Sequence, residues 1–153
     1  MADKKEQTLI IIKPDGVQRS LIGEIVKRYE QSGLKLVGLK MLVPSEGMVE
    51  KHYLLDPDWK KNTGTKTIEN YKEKGLEPPS EDPLEVAENT LNGLKRYLSA
   101  GPVIAMVWQG MNACKIGRKI VGNTEPLSAD QGTIRGDYTI DSYKVADVDG
   151  RSA

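Results

Sequence analysis

The sequence predicts an α/β sandwich in which helices cover an antiparallel sheet. Three apolar runs with strand character alternate with stretches whose apolar residues recur at helical spacing, giving a β-α-β…β-α order. These runs are residues 9–12, 34–43 and 103–108. A length of 153 residues leaves room for one domain with its own core. We therefore predict a single domain over residues 1–153.

The first strand is predicted at residues 9–12, a continuous apolar run that is typical of a strand buried on both faces. Turn-forming residues end it at 13–16. A helix is predicted at 21–31 because apolar residues recur there every three or four positions. Gly33 follows this helix and is placed to end it in the left-handed conformation.

The second strand is predicted at residues 34–43, where apolar residues alternate and so share one face. They are Val37, Leu39 and Met41. A short helix is predicted at 48–54, and it carries His52 and Tyr53.

The middle of the chain predicts a polar surface helix at 67–74 and a proline-rich loop at 75–83. Asp82 is expected to cap the next helix, with Glu85 completing a capping box. Leucine and alanine residues recur along that helix at helical spacing, and this stripe is expected to be core. The stripe is Leu84, Ala87, Leu91, Leu94 and Leu98.

The third strand is predicted at residues 103–108. Asn112 is expected to cap a helix that ends at Gly122, before a polar loop to residue 132. Three apolar residues of this helix are predicted to face inward: Ala113, Ile116 and Ile120. Cys114 lies on the same helix and is expected to face the core.

Charge and composition exclude several classes of partner. The chain has 22 basic and 22 acidic residues and a net charge of zero, so no basic field indicates nucleic acid or a membrane surface. Cys114 is the only cysteine, which excludes an intrachain disulfide and favours a cytoplasmic location. The start is polar, and no apolar run approaches the roughly 18 residues of a transmembrane helix. No cluster of His and Cys predicts a metal site.

Lys13 stands at the end of the first apolar run, where a lysine is costly unless its ammonium meets an anion or solvent. Taken alone, it favours a side chain that extends from a strand end into water. Its neighbours carry a more specific pattern. Residues 8–19 read TLIIIKPDGVQR, and residues 117–138 contain Gly-Arg, Gly-Asn-Thr-Glu-Pro and Gly-Thr-Ile-Arg-Gly-Asp-Tyr in that order.

Together with residues 23–30, 52–53 and 101–108, these blocks closely resemble the nucleoside diphosphate kinase family. The resemblance runs from about residue 7 to 138 and is interrupted by an insertion around 60–81. It implies a ferredoxin-like β-α-β-β-α-β core on an antiparallel sheet. The fourth strand should follow Tyr143, where the sequence shows no obvious strand. The domain is therefore expected to be incomplete at its C-terminus.

The resemblance implies transfer of the γ-phosphate of ATP to nucleoside diphosphates. A histidine takes the phosphate and passes it on in a ping-pong reaction, with Mg²⁺ accompanying ATP. Substrates are then nucleoside di- and triphosphates, and the chain is expected to form a homo-oligomer, a hexamer or a tetramer.

The resemblance also assigns nucleotide-binding roles. Lys13, Arg118, Thr124 and Arg135 are expected to contact phosphate, Tyr53 to line the site, and Trp59 to stack on the base. Simpler explanations exist: Arg118 at a helix C-terminus, Arg135 as a surface charge, Thr124 in a turn and Tyr53 in packing.

His52 is the only histidine of the chain. The family's phosphorylated histidine lies downstream of Arg-Gly-Asp in an Asn-x-x-His context, whereas His52 matches a histidine that precedes the active-site tyrosine. Neither Asn nor His follows Asn123. We therefore expect no catalytic residue within this chain and the phosphorylated histidine beyond Ala153. The nearest hypothesis is a fragment that binds nucleotide weakly or not at all and is inactive alone. The alternatives are a non-catalytic binding or interaction module, and a half that another chain completes.

Overall fold

A computed structural model describes residues 5–143 and 145. The chain divides into two compact units, one made by residues 44–101 and the other by the segments before and after them. The strands are β1 (Glu6–Ile12), β2 (Lys35–Leu42) and β3 (Val103–Gly110). The helices are α1 (Pro14–Gln18), α2 (Ile22–Gln31), α3 (Glu46–Tyr53), α4 (Trp59–Glu73), α5 (Pro83–Leu98), α6 (Ala113–Val121) and α7 (Ile134–Tyr138), with a 3₁₀ turn at Pro126–Ser128.

The sheet confirms the predicted antiparallel α+β class. β3 lies in the centre and pairs antiparallel with both neighbours, in the order β1-β3-β2. Met106 stands opposite Ile10 on one side and Leu39 on the other, and the register shifts between Leu36 and Gly38. This is the arrangement of a ferredoxin-like core. The fourth strand predicted after Tyr143 falls mostly on residues outside the described part of the chain.

The core of the first unit lies on one face of the sheet. Alternate residues of β3, namely Ile104, Met106 and Trp108, pack there against Tyr29 of α2 and Ala113 of α6. The prediction that β1 is buried on both faces is wrong, because Leu9 is 51% exposed. An apolar run predicts a strand, but the packing of the helices decides which of its faces is covered. Val37, Leu39 and Met41 of β2 are likewise exposed.

Local signals located most helix ends of the chain. Gly33 follows α2 with φ +85°, as predicted for a left-handed cap. The Asp82 carboxylate accepts from the Leu84 amide at 2.9 Å and begins α5. The capping box is wrong, because the Glu85 carboxylate accepts instead from the Ser80 hydroxyl at 2.7 Å. The predicted stripe of α5 is buried at Ala87, Leu91 and Leu98, whereas Leu84 in the first turn is 57% exposed.

Helix α4 begins at Trp59, well before the predicted start at 67. Within the unit of residues 44–101 it packs closely on the start of α5, since a side chain at Gly64 would overlap the Pro83 carbonyl. Ile68 is buried in the same helix. The sequence of α4 is largely polar, so this contact and not periodicity defines the first half of the helix.

The start of α6 differs from prediction in two ways. Asn112 does occupy the N-cap position, but with φ +52° and no capping bond from its side chain. The Cys114 amide instead donates to the Glu6 carboxylate at 3.4 Å. Cys114 is exposed and does not face the core, because the buried stripe of this helix is narrow and consists of Ala113 and Gly117. Among residues 5–143 and 145, no helix is both long and apolar enough to cross a membrane.

Candidate functional site

Lys13 lies between β1 and α1, at the N-cap position of the helix. Its backbone is extended, with φ −74° and ψ 169°, and its carbonyl accepts from the Val17 amide at 3.1 Å. Burial and the nearby Arg135 guanidinium lower the pKa of Lys13, while Asp15 opposes them. A second cation therefore stands close enough to Lys13 to disfavour its charge, an arrangement that an anion would relieve.

Arg135 lies on α7 and reaches back to an earlier loop. Its Nη1 donates to the carbonyls of Gly122 at 3.2 Å and Asn123 at 3.4 Å. Burial lowers the pKa of Arg135, and the tyrosines at 29 and 143 partly offset this. The guanidinium is thus partly withdrawn from water while most of its five donors are directed elsewhere than these two carbonyls.

The contacts of Arg135 connect the other two predicted phosphate residues. Arg118 is in the last turn of α6, and its carbonyl accepts from the Gly122 amide at 3.0 Å. Thr124 follows residues 122 and 123, whose carbonyls accept from Arg135. Both Arg118 and Thr124 are exposed. The segments carrying Lys13, Arg118, Thr124 and Arg135 therefore meet around the Arg135 guanidinium.

Gly122 makes this meeting possible. Its φ is +89°, and a side chain there would overlap the Thr133 hydroxyl. Thr133 caps α7: its hydroxyl donates to the Asp130 carbonyl at 2.6 Å and accepts from the Gly136 amide at 3.1 Å. The loop after α6 and the start of α7 are thus in close contact, which only a glycine at 122 allows.

Tyr29 supports the site from the core and was not among the predicted site residues. Its ring stacks on Trp108 with centroids 5.2 Å apart, and its hydroxyl donates to the Gly117 carbonyl at 3.1 Å. Burial raises the pKa of Tyr29. This bond fixes the backbone immediately before Arg118. Its sequence signal was only an apolar position on a helix, which does not reveal a polar partner 88 residues away.

Arg28 was also missed. It lies on α2 and binds the far end of α7, with Nη2 2.7 Å from the Asp137 carboxylate and Nη1 3.1 Å from the Gly132 carbonyl. Its guanidinium lies 4.8 Å from the centre of the Tyr138 ring. The bond to Asp137 raises the pKa of Arg28. The Gly132 amide and Arg28 together lower the pKa of Asp137.

The unit of residues 44–101 contains the predicted aromatic residues. Tyr53 ends α3 and Trp59 begins α4, with ring centroids 5.2 Å apart and an interplanar angle of 46°. Burial raises the pKa of Tyr53. His52 is exposed and lies edge-on to Tyr53, with ring centroids 5.1 Å apart. The structure thus places both predicted aromatic residues in one cluster.

Two further features complete the chemistry of the surface. Within the described residues, no group of three or more His, Cys, Asp or Glu side chains is placed to hold a metal ion. An open cavity of about 590 Å³ lies beside α7 and is lined by Arg19, residues 137–141 and Val145. None of the six predicted nucleotide-binding residues lines it.

Comparison with known proteins gives a consistent family. The nucleoside diphosphate kinase family model matches residues 6–74 and 85–147. A nucleoside diphosphate kinase of Pyrobaculum aerophilum is 44% identical over 150 residues, which are 95% of this chain and 82% of that protein. The break in the family match falls at residues 75–84. It therefore lies later than, and is shorter than, the insertion expected around 60–81.

Solved structures agree. An NDP kinase from Pyrobaculum aerophilum superposes with a TM-score of 0.93 at 42% identity, covering 97% of this chain and 84% of that one. A nucleoside-diphosphate kinase from Borrelia burgdorferi, a transition state mimic with bound vanadate and ADP, gives 0.75 at 36% identity, covering 97% and 74%.

Proposed function

Because the chain belongs to the nucleoside diphosphate kinase family, we propose that it binds nucleoside triphosphates through a phosphate cluster, defined as Lys13, Arg118, Thr124 and Arg135. The observation that carries this proposal is the pKa of Lys13, which burial and Arg135 both lower. Holding two cations close together in a partly dry place costs free energy in the empty protein. A polyanion at the same place relieves that cost.

The residue types suit the triphosphate. Guanidinium groups donate two parallel hydrogen bonds to phosphate oxygens, so Arg118 and Arg135 can fix the bend of the chain of phosphates. Lys13 acts as a point charge, and the Thr124 hydroxyl adds a neutral donor. Charge neutralisation and positioning are the main contributions that proteins make to phosphoryl transfer.

Mg²⁺ would come with the nucleotide. It prefers oxygen ligands and usually keeps several waters, binding through substrate phosphates and one or two carboxylates. The described residues contain no cluster of acidic side chains that would hold the ion by itself, so phosphate oxygens and water are its proposed ligands.

For the base, we assign Tyr53 and Trp59. Their rings are already in contact at 5.2 Å, and burial of Tyr53 indicates an apolar surrounding. Stacking accepts every base because each has a π-face. A site of this kind selects weakly among nucleotides, which suits transfer between many nucleoside diphosphates.

The histidine step of the family reaction is not expected from this chain. His52 is its only histidine, and it is an exposed residue beside Tyr53, outside the phosphate cluster's list of residues. Neither Asn nor His follows Asn123. Cys114 is exposed, but its sulfur lies 3.7 Å from the Gln7 carbonyl, with no base recorded beside it. We therefore propose binding without a phosphohistidine.

Intact mass measured after incubation with ATP and Mg²⁺ tests this proposal. We expect no acid-labile phosphate on the chain, together with ATP binding that calorimetry detects and that Lys13→Met weakens. His52→Gln is the matched control and should bind ATP like the wild type. A phosphate that appears on the wild type and vanishes in His52→Gln would make His52 the nucleophile and contradict the proposal.

We further propose a cytoplasmic homo-oligomer, a hexamer or a tetramer. Exposed apolar side chains on β2 support association, since Leu39 is 53%, Met41 55% and Val43 61% exposed. Contiguous apolar surface of this kind is typical of protein interfaces. Sedimentation equilibrium of the chain gives its mass in solution, and a monomer at all concentrations would contradict association.

A further inference from the structure

We propose that Arg28 is a positioning residue for the phosphate cluster: it fixes α7 so that Arg135 faces Lys13. This inference rests on the proposed function, because it concerns how one member of the cluster is held. Arg28 itself is 15 residues from Lys13 in sequence and lies on a different helix.

Helix α7 depends on outside contacts for its position. It has five residues, far fewer than the roughly 12 to 15 that an isolated helix needs to be even marginally stable in water. None of its residues is buried, and the half-buried Ile134 is the member that packs against the core. Polar contacts must therefore supply much of the restraint on this helix.

Arg28 supplies that restraint at both ends of the segment. It donates to the Gly132 carbonyl before α7 and to the Asp137 carboxylate near its end, at 3.1 and 2.7 Å. The Asp137 carboxylate also accepts from the Gly132 amide at 2.8 Å, which closes the same loop. On its other side, Arg28 pairs with Glu24 at 3.5 Å.

The helix that carries Arg28 is well anchored. Its neighbour Tyr29 is fully buried, stacks on Trp108 and bonds to the Gly117 carbonyl. Ile25 is buried one turn earlier. Arg28 thus connects a mobile kind of element, a short exposed helix, to a fixed one.

Arg135 needs that connection. One nitrogen, Nη1, makes both of its recorded bonds, at 3.2 and 3.4 Å, which lie at the long end for N–H···O bonds. A shift of α7 by an ångström breaks them and moves the guanidinium away from Lys13. Arg28 holds Asp137, two residues along the same helix, and so prevents that shift.

A lysine cannot replace Arg28 fully. The planar guanidinium donates to two acceptors in fixed directions and stacks on the Tyr138 ring at 4.8 Å. An ammonium keeps the attraction to Asp137 but cannot serve the Gly132 carbonyl in the same geometry. We therefore expect Arg28→Lys to bind ATP with an affinity between those of wild type and Arg28→Met.

A double-mutant cycle on ATP binding tests the inference. Calorimetry in Mg²⁺ buffer, well below each variant's unfolding temperature, measures Kd for wild type, Arg28→Met, Arg135→Met and the double variant. Arg28→Met should weaken binding about tenfold. In the Arg135→Met background, the same change should alter Kd less than about twofold, since both act through one group. Lys27→Met, on the exposed side of the same helix, should leave Kd unchanged.

Each other outcome overturns a definite statement. Wild-type binding by Arg28→Met, an undiminished loss in the Arg135→Met background, or full recovery by Arg28→Lys each overturns the positioning role. If Arg28→Met does not fold, Asp137→Asn removes the same ion pair with less change and should weaken binding in the same direction; unchanged binding overturns the inference. Failure of the wild type itself to bind ATP overturns the proposed function, and the inference with it.

Discussion

Lys13 carries its charge where burial and Arg135 both make a cation unfavourable. Below its lowered pKa it is charged in the folded and unfolded chain alike. Between that pKa and the ordinary value of 10.5, only the unfolded chain takes up the proton, so this residue makes stability rise with pH there. Bound phosphate has the opposite effect, because it favours the charged ammonium.

ATP affinity is therefore expected to fall with rising pH at a lower pH than an ordinary lysine would cause. The measurement is calorimetric titration with ATP across the alkaline range, in buffers that differ in ionisation enthalpy and so report proton uptake. Lys13→Met should remove the uptake. Arg135→Gln should move it to higher pH without abolishing it, because burial is the larger cause of the pKa shift. Uptake that persists in Lys13→Met contradicts this assignment.

Tyr29 gives a second prediction for a single residue. Tyr29→Phe keeps the stack on Trp108 but leaves the Gly117 carbonyl without its 3.1 Å partner. Loss of a partner by a buried acceptor costs about 1 to 3 kcal/mol of unfolding free energy. Urea unfolding measures it, with Tyr71→Phe on α4 as the control. Equal stabilities of the two variants would mean that the Tyr29 bond contributes nothing.

Among the elements, those with strong local signals were predictable. The apolar run at β1, the helical spacing of α2 with Gly33 after it, and Asp82 before α5 all gave elements at or near the predicted places. Elements defined by a contact were not. α7 went unpredicted because its five residues have no apolar periodicity, and it exists where Thr133 caps it and Arg28 holds it.

The junction of α6 and α7 gives an element-scale prediction. Gly33→Ala and Gly122→Ala both place a side chain at positive φ, at +85° and +89°. This conformation costs a non-glycine residue about 1 to 2 kcal/mol. Open space surrounds Gly33, whereas a side chain at Gly122 would overlap Thr133. Gly122→Ala should therefore lower the unfolding free energy more than Gly33→Ala.

Nucleotide binding distinguishes the two variants further. Gly122→Ala should weaken ATP binding, because its collision with Thr133 displaces the segment that carries Arg135, and Gly33→Ala should not. Urea unfolding and calorimetry on the same preparations provide both values. Equal losses of stability would show that the close contact at Gly122 relaxes at no cost.

For the whole molecule, binding should be visible as stability. A ligand present at 100 times its Kd raises the unfolding free energy by about 2.7 kcal/mol when it binds the folded chain alone. Thermal unfolding with ATP and Mg²⁺ should show this rise. Inorganic triphosphate should raise stability too, since the phosphate cluster binds phosphates. Stabilisation by adenosine but not by triphosphate would contradict a phosphate-centred site.

The sequence by itself determined the family, the antiparallel α+β class and the residue types of the candidate site. These follow from motifs and apolar spacing, which are local properties of the chain. Lys13, Arg118, Thr124 and Arg135 could be named in this way, but their roles as phosphate ligands remain predictions. The exposure of Leu9 and Cys114 could not be foreseen, because it depends on which face of an element a distant helix covers.

The tertiary structure alone decided that Arg135 lies near Lys13 and that Arg28 binds Asp137, 109 residues away. No local propensity encodes such pairs. The attraction between two charges appears only once the core around Tyr29 and Trp108 has brought α2 and the α7 segment to neighbouring positions. Hydrophobic packing thus fixes the frame, and hydrogen bonds of definite length and direction then place the charges on it.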